Sequence, residues 1–161
     1  MGAFAAVISA FRGDLNIHFL AAGAGHPVRR LVRATRVLET ALYVDDVSAA
    51  REFYGRVLGL AEFSYVPDEH VFFRCGEGML LLFNPAATRT QDDIPPHGAN
   101  GAGHVAFAME SGSAQEWRDH LAQQGVTIER EVAWPSGGAS LYFRDPGGNS
   151  LELATPATWR S

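Results

Sequence analysis

The sequence predicts an α+β fold made of two βαβββ modules whose strands curl around a shared cleft. Short segments rich in β-branched, aromatic and aliphatic residues are typical of strands, and two further segments have the periodicity of helices. The order of these segments in residues 37–84 is repeated in residues 101–156. A shift of 65 residues places Glu39 on His104 and Ser48 on Ser113. An internal repeat indicates two copies of one structural unit, and mixed α+β sheets of this kind fit one compact domain.

The first module begins with a predicted strand over residues 37–44 (VLETALYV). Asp45, Asp46 and Ser48 follow it, and their side chains are favoured at the start of a helix. The next apolar residues recur with helical spacing and predict one buried helix face. They are Ala50, Phe53, Tyr54, Val57 and Leu58. Gly59 then stands where a left-handed residue ends a helix.

Three short strands complete the first module. They are predicted around residues 62–66, 70–75 and 79–83, in the sequences EFSYV, HVFFRC and MLLLF. Pro67-Asp68 and the Gly76-Glu77-Gly78 segment separate them, and residues of these types favour tight turns. The first module is therefore predicted to contain one strand, one helix and three further strands, in that order.

The second module repeats this order after a polar connection rich in Pro and Gly over residues 84–103. A strand is predicted at 104–109, and Ser113 with Glu116 fits a capping box at the start of a helix. Ala114, Trp117 and Leu121 have helical spacing, and Gly125 ends that helix. Strands are then predicted at 127–133, 140–144 and 150–154, with a turn at residues 145–148.

The domain organisation follows from these boundaries. Residues 1–36 carry five arginines and one aspartate, and we interpret them as an N-terminal arm of unknown role. Residues 37–156 form a single domain, with module one at 37–84, a linker at 85–100 and module two at 101–156. Residues 157–161 are a C-terminal tail.

Composition excludes several classes of function. All 13 basic residues are arginine, so lysine Schiff-base chemistry and a P-loop are excluded. A net charge of −5 argues against binding nucleic acid, and no apolar run is long enough for a membrane-spanning helix. Cys75 is the single cysteine, so no internal disulfide or CxxC motif exists. With no convincing secretory signal, a cytoplasmic location is expected.

Three ionisable side chains interrupt segments that otherwise read as apolar strands: Glu39, His104 and Glu152. Burying an unpaired carboxylate is costly, so each residue needs a partner or a metal ion. Glu39 and His104 hold equivalent positions of the repeat, and strands related by the repeat can bring all three to one centre. Two carboxylates and one imidazole suit Mn, Fe, Ni, Zn or Mg better than soft Cu(I). The alternative is that each strand only exposes a polar face.

Residues 37–156 resemble the vicinal oxygen chelate superfamily, which includes glyoxalase I, bleomycin resistance proteins, fosfomycin-resistance enzymes and extradiol dioxygenases. The resemblance depends on three segments: LETALYVDDVSAAREFYGRVLGL, GAGHVAF and YFRDPGGNSLEL. It implies that the paired modules form a cup-shaped mixed sheet that holds a divalent metal ion or a bound ligand.

The resemblance also implies positions for the metal ligands. The ligand of the first strand falls on Glu39, that of the fifth on His104 and that of the last on Glu152. Glyoxalase I takes a fourth ligand from the fourth strand, which here contains only apolar residues over 79–83. A three-ligand site with open positions is therefore expected. Glu39 also departs from the two-histidine, one-carboxylate set of the dioxygenases.

These observations predict a metal-dependent enzyme of the glyoxalase type, a lyase or isomerase that chelates neighbouring oxygens of a small substrate. Glu39 and Glu152 are the candidate catalytic residues, since a carboxylate that leaves the metal can move a proton. Arg74, Trp134 and Tyr142 are candidate substrate-binding residues, through bidentate contacts and apolar walls. Arg144 is interpreted instead as pairing with a nearby acid such as Asp145.

Two other functions remain open. The first is a protein of the bleomycin-resistance type that sequesters a drug without catalysis, and the second is an extradiol-type dioxygenase, which Glu39 disfavours. The expected partners are a small-molecule substrate and a second copy of the chain. Modules of this superfamily pair within a chain or between chains, and the long connection permits either, so a homodimer is expected.

Overall fold

The computed structural model describes residues 32–92 and 94–160, of which residues from 35 onward belong to one compact unit. The predicted arm therefore lies largely outside the described residues. Eight strands and three helices follow in the order of the repeat, and a 3-10 helix follows the last strand. They are β1 Glu39–Tyr43, α1 Val47–Val57, β2 Ala61–Val66, β3 His70–Cys75, β4 Gly78–Phe83, α2 Pro85–Thr88, β5 His104–Ala108, α3 Ala114–Gln123, β6 Arg130–Ala133, β7 Ala139–Arg144, β8 Ser150–Ala154 and the 3-10 helix Pro156–Trp159.

The eight strands form two four-stranded mixed sheets of identical topology. Sheet one has the order β1-β4-β3-β2 and sheet two the order β5-β8-β7-β6. In each sheet the first strand is parallel to the fourth, and the other neighbours are antiparallel. The predicted α+β fold of two βαβββ modules is thus confirmed. Within the described chain the two sheets share no strand pairing, so one chain alone does not close them into a single cup.

Helix α1 begins and ends where the sequence predicts. The Asp46 carboxylate accepts a 2.8 Å hydrogen bond from the Ala49 amide, which satisfies one of the free donors of the first turn. Gly59 follows the last helical residues with φ of +64°, a conformation that glycine adopts without strain. The face formed by Ala50, Tyr54 and Val57 is fully buried against sheet one.

Helix α3 differs from the prediction at its start. Ser113 precedes the helix, but its side chain caps no helical amide; its hydroxyl donates instead to the Glu110 carbonyl at 2.8 Å. Ser113 has φ of −83° and ψ of 2°, outside the extended conformation that a capping residue usually adopts. The predicted capping box is therefore wrong. Gly125 ends the helix as predicted, with φ of +71°.

Other element boundaries differ from the predicted ones by a few residues. Strand β6 is confined to Arg130–Ala133, where the prediction began at Thr127, and the linker contains the short helix α2. Helix α1 packs against one face of sheet one, at β3 and β4, and the second face of each sheet carries Glu39 or His104. We call the second face of each sheet its open face. In the described part of the chain, no helix has the length and apolar character needed to cross a membrane.

Candidate metal centre

The open face of sheet two brings together two of the three predicted metal ligands. His104 starts β5, and Glu152 lies in the middle of the neighbouring strand β8. The His104 Nε2 atom is 3.4 Å from Oε2 of Glu152. The other ring nitrogen, Nδ1, lies 3.0 Å from the Ser150 carbonyl oxygen, so it carries the proton and donates. Metal-binding histidines commonly donate their second ring nitrogen to a backbone carbonyl in this way.

Glu152 is the more enclosed of these two predicted ligands. Its side chain is 9% exposed, whereas that of His104 is 51% exposed. Tyr142 lies opposite Glu152 in the β7–β8 register. Burial, followed by the interaction with the Glu152 carboxylate, raises the pKa of Tyr142, so its phenol stays protonated beside this carboxylate.

Glu39 lies on the open face of sheet one and is exposed. Over residues 32–92 and 94–160, no three His, Cys, Asp or Glu side chains are close enough together to hold a metal ion. One chain therefore places His104 and Glu152 together and leaves Glu39 apart from them. Each sheet carries its own part of the predicted ligand set.

The side chains beside Glu39 on strand β4 are apolar. Met79 lies opposite Glu39 in the parallel register, and Leu81 and Phe83 continue along the same face. The β4 side chains that share this face with Glu39 are therefore apolar and offer no carboxylate or imidazole as a fourth ligand. The three predicted ligands on the two open faces are one imidazole and two carboxylates, a set that fits a divalent ion of the first transition row or Mg²⁺.

Two arginines occupy equivalent positions of the two modules but have different partners. In module one, Met79 lies between Glu39 on one neighbouring strand and Arg74 on the other. In module two, Ser150 lies between His104 and Arg144 in the same way. Arg144 forms a bidentate pair with Glu129 at 2.9 and 3.0 Å, so its acidic partner is Glu129 rather than the predicted Asp145. No carboxylate of the described chain pairs with Arg74.

The other predicted substrate-binding residues also lie at the open face of sheet two. The indole nitrogen of Trp134 donates a 2.8 Å hydrogen bond to Ser140 Oγ, and Ser140 is on the same face as Tyr142. Sequence reasoning missed Arg130, which lies opposite Tyr142 in the β6–β7 register and is exposed. Strict alternation from Tyr142 across the β6–β7 hairpin was the signal that would have found it.

Two histidines that lie near turns in the sequence are packed among aromatic rings on the open face of sheet one. The His70 side chain is 13% exposed and its ring stacks on Phe72 at 4.2 Å. The Tyr43 hydroxyl lies 2.7 Å from Nδ1 of His97, which the linker places against Phe83. Cys75 ends the neighbouring strand, and burial raises the pKa of its thiol, which agrees with a structural role.

Comparisons with known proteins agree with this architecture. The chain is 30% identical over 112 residues to the glutathione transferase FosA of Serratia marcescens, covering 70% of this chain and 74% of that protein. It is 31% identical over 114 residues to the metallothiol transferase FosB of Staphylococcus saprophyticus, covering 70% and 71%. A lactoylglutathione lyase structure from Agrobacterium tumefaciens is 39% identical, with a TM-score of 0.76, and the match covers 80% of this chain and 98% of that one.

The model of one protein family matches most of the chain, from residue 36 to residue 153. This range contains the first module, the second module as far as residue 153, and all three predicted metal ligands. The chain therefore belongs to the glyoxalase/bleomycin resistance protein/dioxygenase superfamily.

Proposed function

We propose that this protein is a metal-dependent enzyme of the glyoxalase type, a lyase or isomerase acting on a small oxygenated substrate. The observation that carries the proposal is the His104–Glu152 pair, with Nε2 3.4 Å from the carboxylate and Nδ1 bonded to the Ser150 carbonyl. A histidine oriented in this way beside a largely buried carboxylate fits a divalent ion. The relatives with transferase and lyase names support a role of this metalloenzyme type.

Glu39 would complete this centre in a homodimer. Each sheet leaves large apolar side chains exposed, namely Phe63 and Val66 on β2 of sheet one and Trp134 directly after β6 of sheet two. Exposed apolar surface of this kind marks an interaction site. If sheet one of one chain covers sheet two of its partner, Glu39 faces His104 and Glu152 of the other chain, and the dimer has two equivalent sites.

The three ligands have distinct roles in this proposal. His104 and Glu152 would hold the ion, because they lie 3.4 Å apart and the Ser150 carbonyl orients the His104 ring. Glu39 makes no hydrogen bond or ion pair with the described residues, so it is the carboxylate that is free to exchange a proton with the substrate. A bound ion would supply stabilisation of the negative charge that develops on substrate oxygens. Trp134 and Tyr142 line the substrate side of sheet two, and a cytoplasmic location is part of the same proposal.

Mixing two inactive variants tests where the ligands come from. Glu39→Ala and His104→Ala are purified separately and then mixed under conditions that exchange subunits. If the site is shared between chains, each mixed dimer contains one intact ligand set and one set lacking both residues. Metal binding and activity then return at about one site per mixed dimer. If all three ligands came from one chain, every site of a mixed dimer would lack a ligand, and nothing would return.

Metal analysis separates the enzyme from a sequestering protein. The proposal expects about one divalent ion per chain after incubation with Mn, Fe, Ni, Zn or Mg, and loss of that ion in His104→Ala and Glu152→Gln. Unchanged metal content in these variants would contradict the proposal. A parent protein whose stability responds neither to chelators nor to added metal would favour the sequestering function instead.

Thiol transfer is a second candidate function. Two observations favour it. The apolar β4 residues beside Glu39 supply no fourth ligand, so an ion held by three ligands would have open coordination positions. Two of the relatives are also transferases. Glutathione provides the first assays, since both a transferase and a lyase relative carry it in their names. Conversion of S-lactoylglutathione would identify the lyase, whereas loss of free thiol in the presence of an electrophile would identify the transferase.

A further inference from the structure

The hairpin between strands β2 and β3 carries three side chains in the arrangement of a nucleophile, a base and an orienting acid. Ser64 Oγ lies 3.3 Å from Nε2 of His70, and Nδ1 of His70 lies 3.2 Å from Oε1 of Glu69. We infer that these residues form a second catalytic site, which hydrolyses esters of apolar carboxylic acids through an acyl-serine intermediate. The inference is independent of the proposed metal centre, because it uses none of the predicted metal ligands.

The two hydrogen bonds determine which nitrogen of the His70 ring carries the proton. An ionised carboxylate only accepts hydrogen bonds, so Nδ1 carries the ring proton and donates to Glu69. Nε2 of the neutral ring is then an acceptor, and the Ser64 hydroxyl donates to it. In this arrangement the histidine can remove the proton of the serine while the carboxylate holds the other side of the ring.

The hairpin fixes the positions of the acid and the base. The Glu69 amide donates to the Val66 carbonyl at 3.2 Å, and the Glu69 carbonyl accepts from the Asn84 amide at 2.8 Å. The largely buried His70 ring stacks on Phe72 with the ring centres 4.2 Å apart. Both backbone polar groups of the acid and the ring of the base are therefore held by neighbours, as a preorganised site requires.

Apolar side chains and unpaired amides lie close to Ser64. Strand β2 is an outer strand of sheet one and pairs only with β3 in the described chain, so the amides along its outer edge have no strand partner. Backbone amides are the donors that stabilise the oxyanion of an acyl-transfer intermediate. Phe63 and Val66 are exposed on the same strand, and Phe72 lies opposite Ser64. The surface beside the nucleophile therefore suits an ester with an apolar acyl group.

The reaction needs only water as a second reactant. Ser64 Oγ bonds to the carbonyl carbon of the ester while its proton passes to His70 Nε2, and the ester C–O bond breaks as this proton passes to the leaving alcohol. Water then attacks the acyl-serine and gives a proton to Nε2. The carboxylic acid leaves as Ser64 Oγ regains that proton. Glu69 stays ionised and stabilises the imidazolium that forms in each half of the reaction.

The strand order separates this site from the predicted metal ligand of the same sheet. Ser64 lies on β2 and Glu39 on β1, and these are the two outer strands of sheet one. Three strand spacings lie between them, roughly 14 Å. Hydrolysis at Ser64 should therefore be insensitive to a chelator, which distinguishes it from any reaction at the metal centre.

A fluorophosphonate probe tests the nucleophile directly. Its reaction with an activated serine forms a P–O bond, releases fluoride and leaves a stable adduct. We expect about one adduct per chain in the parent, with or without chelator. The adduct should lie in the tryptic peptide 57–74, whose only serine is Ser64. An unlabelled parent, an adduct outside this peptide or an adduct that chelation abolishes would each overturn the inference.

Hydrolysis of p-nitrophenyl butyrate assigns the three roles. Ser64→Ala should lose both the adduct and the initial burst of p-nitrophenol, and His70→Gln should slow hydrolysis by about 10²–10⁴-fold. Glu69→Gln should lower kcat with little change in KM, because it affects the imidazolium and not the binding of the ester. Ser111→Ala removes an exposed serine before α3 and is the control.

Thermal unfolding verifies that each variant is folded. Ser64→Cys keeps a nucleophile at the same place and should still be acylated by p-nitrophenyl butyrate. Hydrolysis that survives in Ser64→Ala would assign the rate to the imidazole alone and overturn the acyl-serine route. A folded His70→Gln or Glu69→Gln variant with the kcat of the parent would equally overturn the inference.

Discussion

The Tyr54 hydroxyl of module one donates a 2.9 Å hydrogen bond to Asp145 Oδ2 of module two, and both side chains are buried. Asn149 donates to the same carboxylate from its backbone amide and from its side chain, at 2.7 and 2.8 Å. It also donates to the Tyr43 carbonyl, and its Oδ1 accepts from the Gly103 amide. This network joins the end of β1 and helix α1 to the residue that precedes His104.

Removing one donor of this network should destabilise the fold. Tyr54→Phe leaves the buried Asp145 carboxylate with fewer hydrogen bonds, and an incompletely satisfied buried charge costs about 1–3 kcal/mol. Urea unfolding monitored by tryptophan fluorescence measures the change. Tyr65→Phe is the control, because no hydrogen bond of the Tyr65 hydroxyl is found among the described residues, and it should change stability by less than about 0.5 kcal/mol. Equal losses in both variants would contradict the assigned role of Asp145.

Two glycine-to-alanine substitutions should have opposite effects. In Gly138→Ala the new methyl group would overlap the backbone nitrogen and Cα of Thr158, which belong to the C-terminal 3-10 helix. Since backbone atoms cannot yield easily, we expect a loss of about 1–3 kcal/mol. Gly55 lies on α1 with open space around it, so Gly55→Ala should stabilise by about 0.5–1 kcal/mol. Thermal unfolding of both variants gives the comparison, and a stabilising Gly138→Ala would contradict the packing of the 3-10 helix.

An ion pair between α3 and β6 should make a small, pH-dependent contribution to stability. Hydrogen bonds from Arg118, and then its charge, lower the pKa of Glu131. A lowered folded-state pKa means that the stabilisation is complete above the pKa of Glu131 in the unfolded chain and is lost as pH falls through the folded value. The pair is exposed, so the effect should be small.

Arg118→Gln should therefore raise the pKa of Glu131, as measured by its side-chain chemical shift during acid titration. The stability difference between this variant and the parent should be largest at neutral pH and should vanish in acid. A difference that grew as the pH fell would have the wrong sign for this pair.

Glu39→Ala should uncouple the stability of the protein from metal. A ligand that binds the native state raises the melting temperature by mass action, so a chelator should lower the Tm of the metal-loaded parent but not of this variant. If Glu39 also moves a proton, the rate should fall by about 10²–10⁴-fold. Glu77→Ala removes an exposed carboxylate at a turn of the same module and serves as the control. An equal chelator response in parent and Glu39→Ala would remove Glu39 from the site.

Local signals in the sequence were sufficient for most elements of the fold. The strands His70–Cys75 and Ser150–Ala154 and the helix ends at Gly59 and Gly125 agree with the prediction, because periodicity and left-handed glycines act over a few residues. The Ser113 capping box failed because Ser113 lacks the extended backbone conformation in which its hydroxyl would accept from an amide of the first helical turn, and a sequence pattern does not show this.

The tertiary structure decided how the candidate site residues combine. The sequence alone identified Glu39, His104 and Glu152 as polar residues in apolar strands, but proximity depends on strand register and on how the sheets meet. The register places Glu152 beside His104 through β5–β8 pairing, while Glu39 belongs to a separate sheet. The different partners of Arg74 and Arg144 have the same cause: their sequences FFRCG and YFRDP look alike, and only the position of Glu129 in space neutralises one of them.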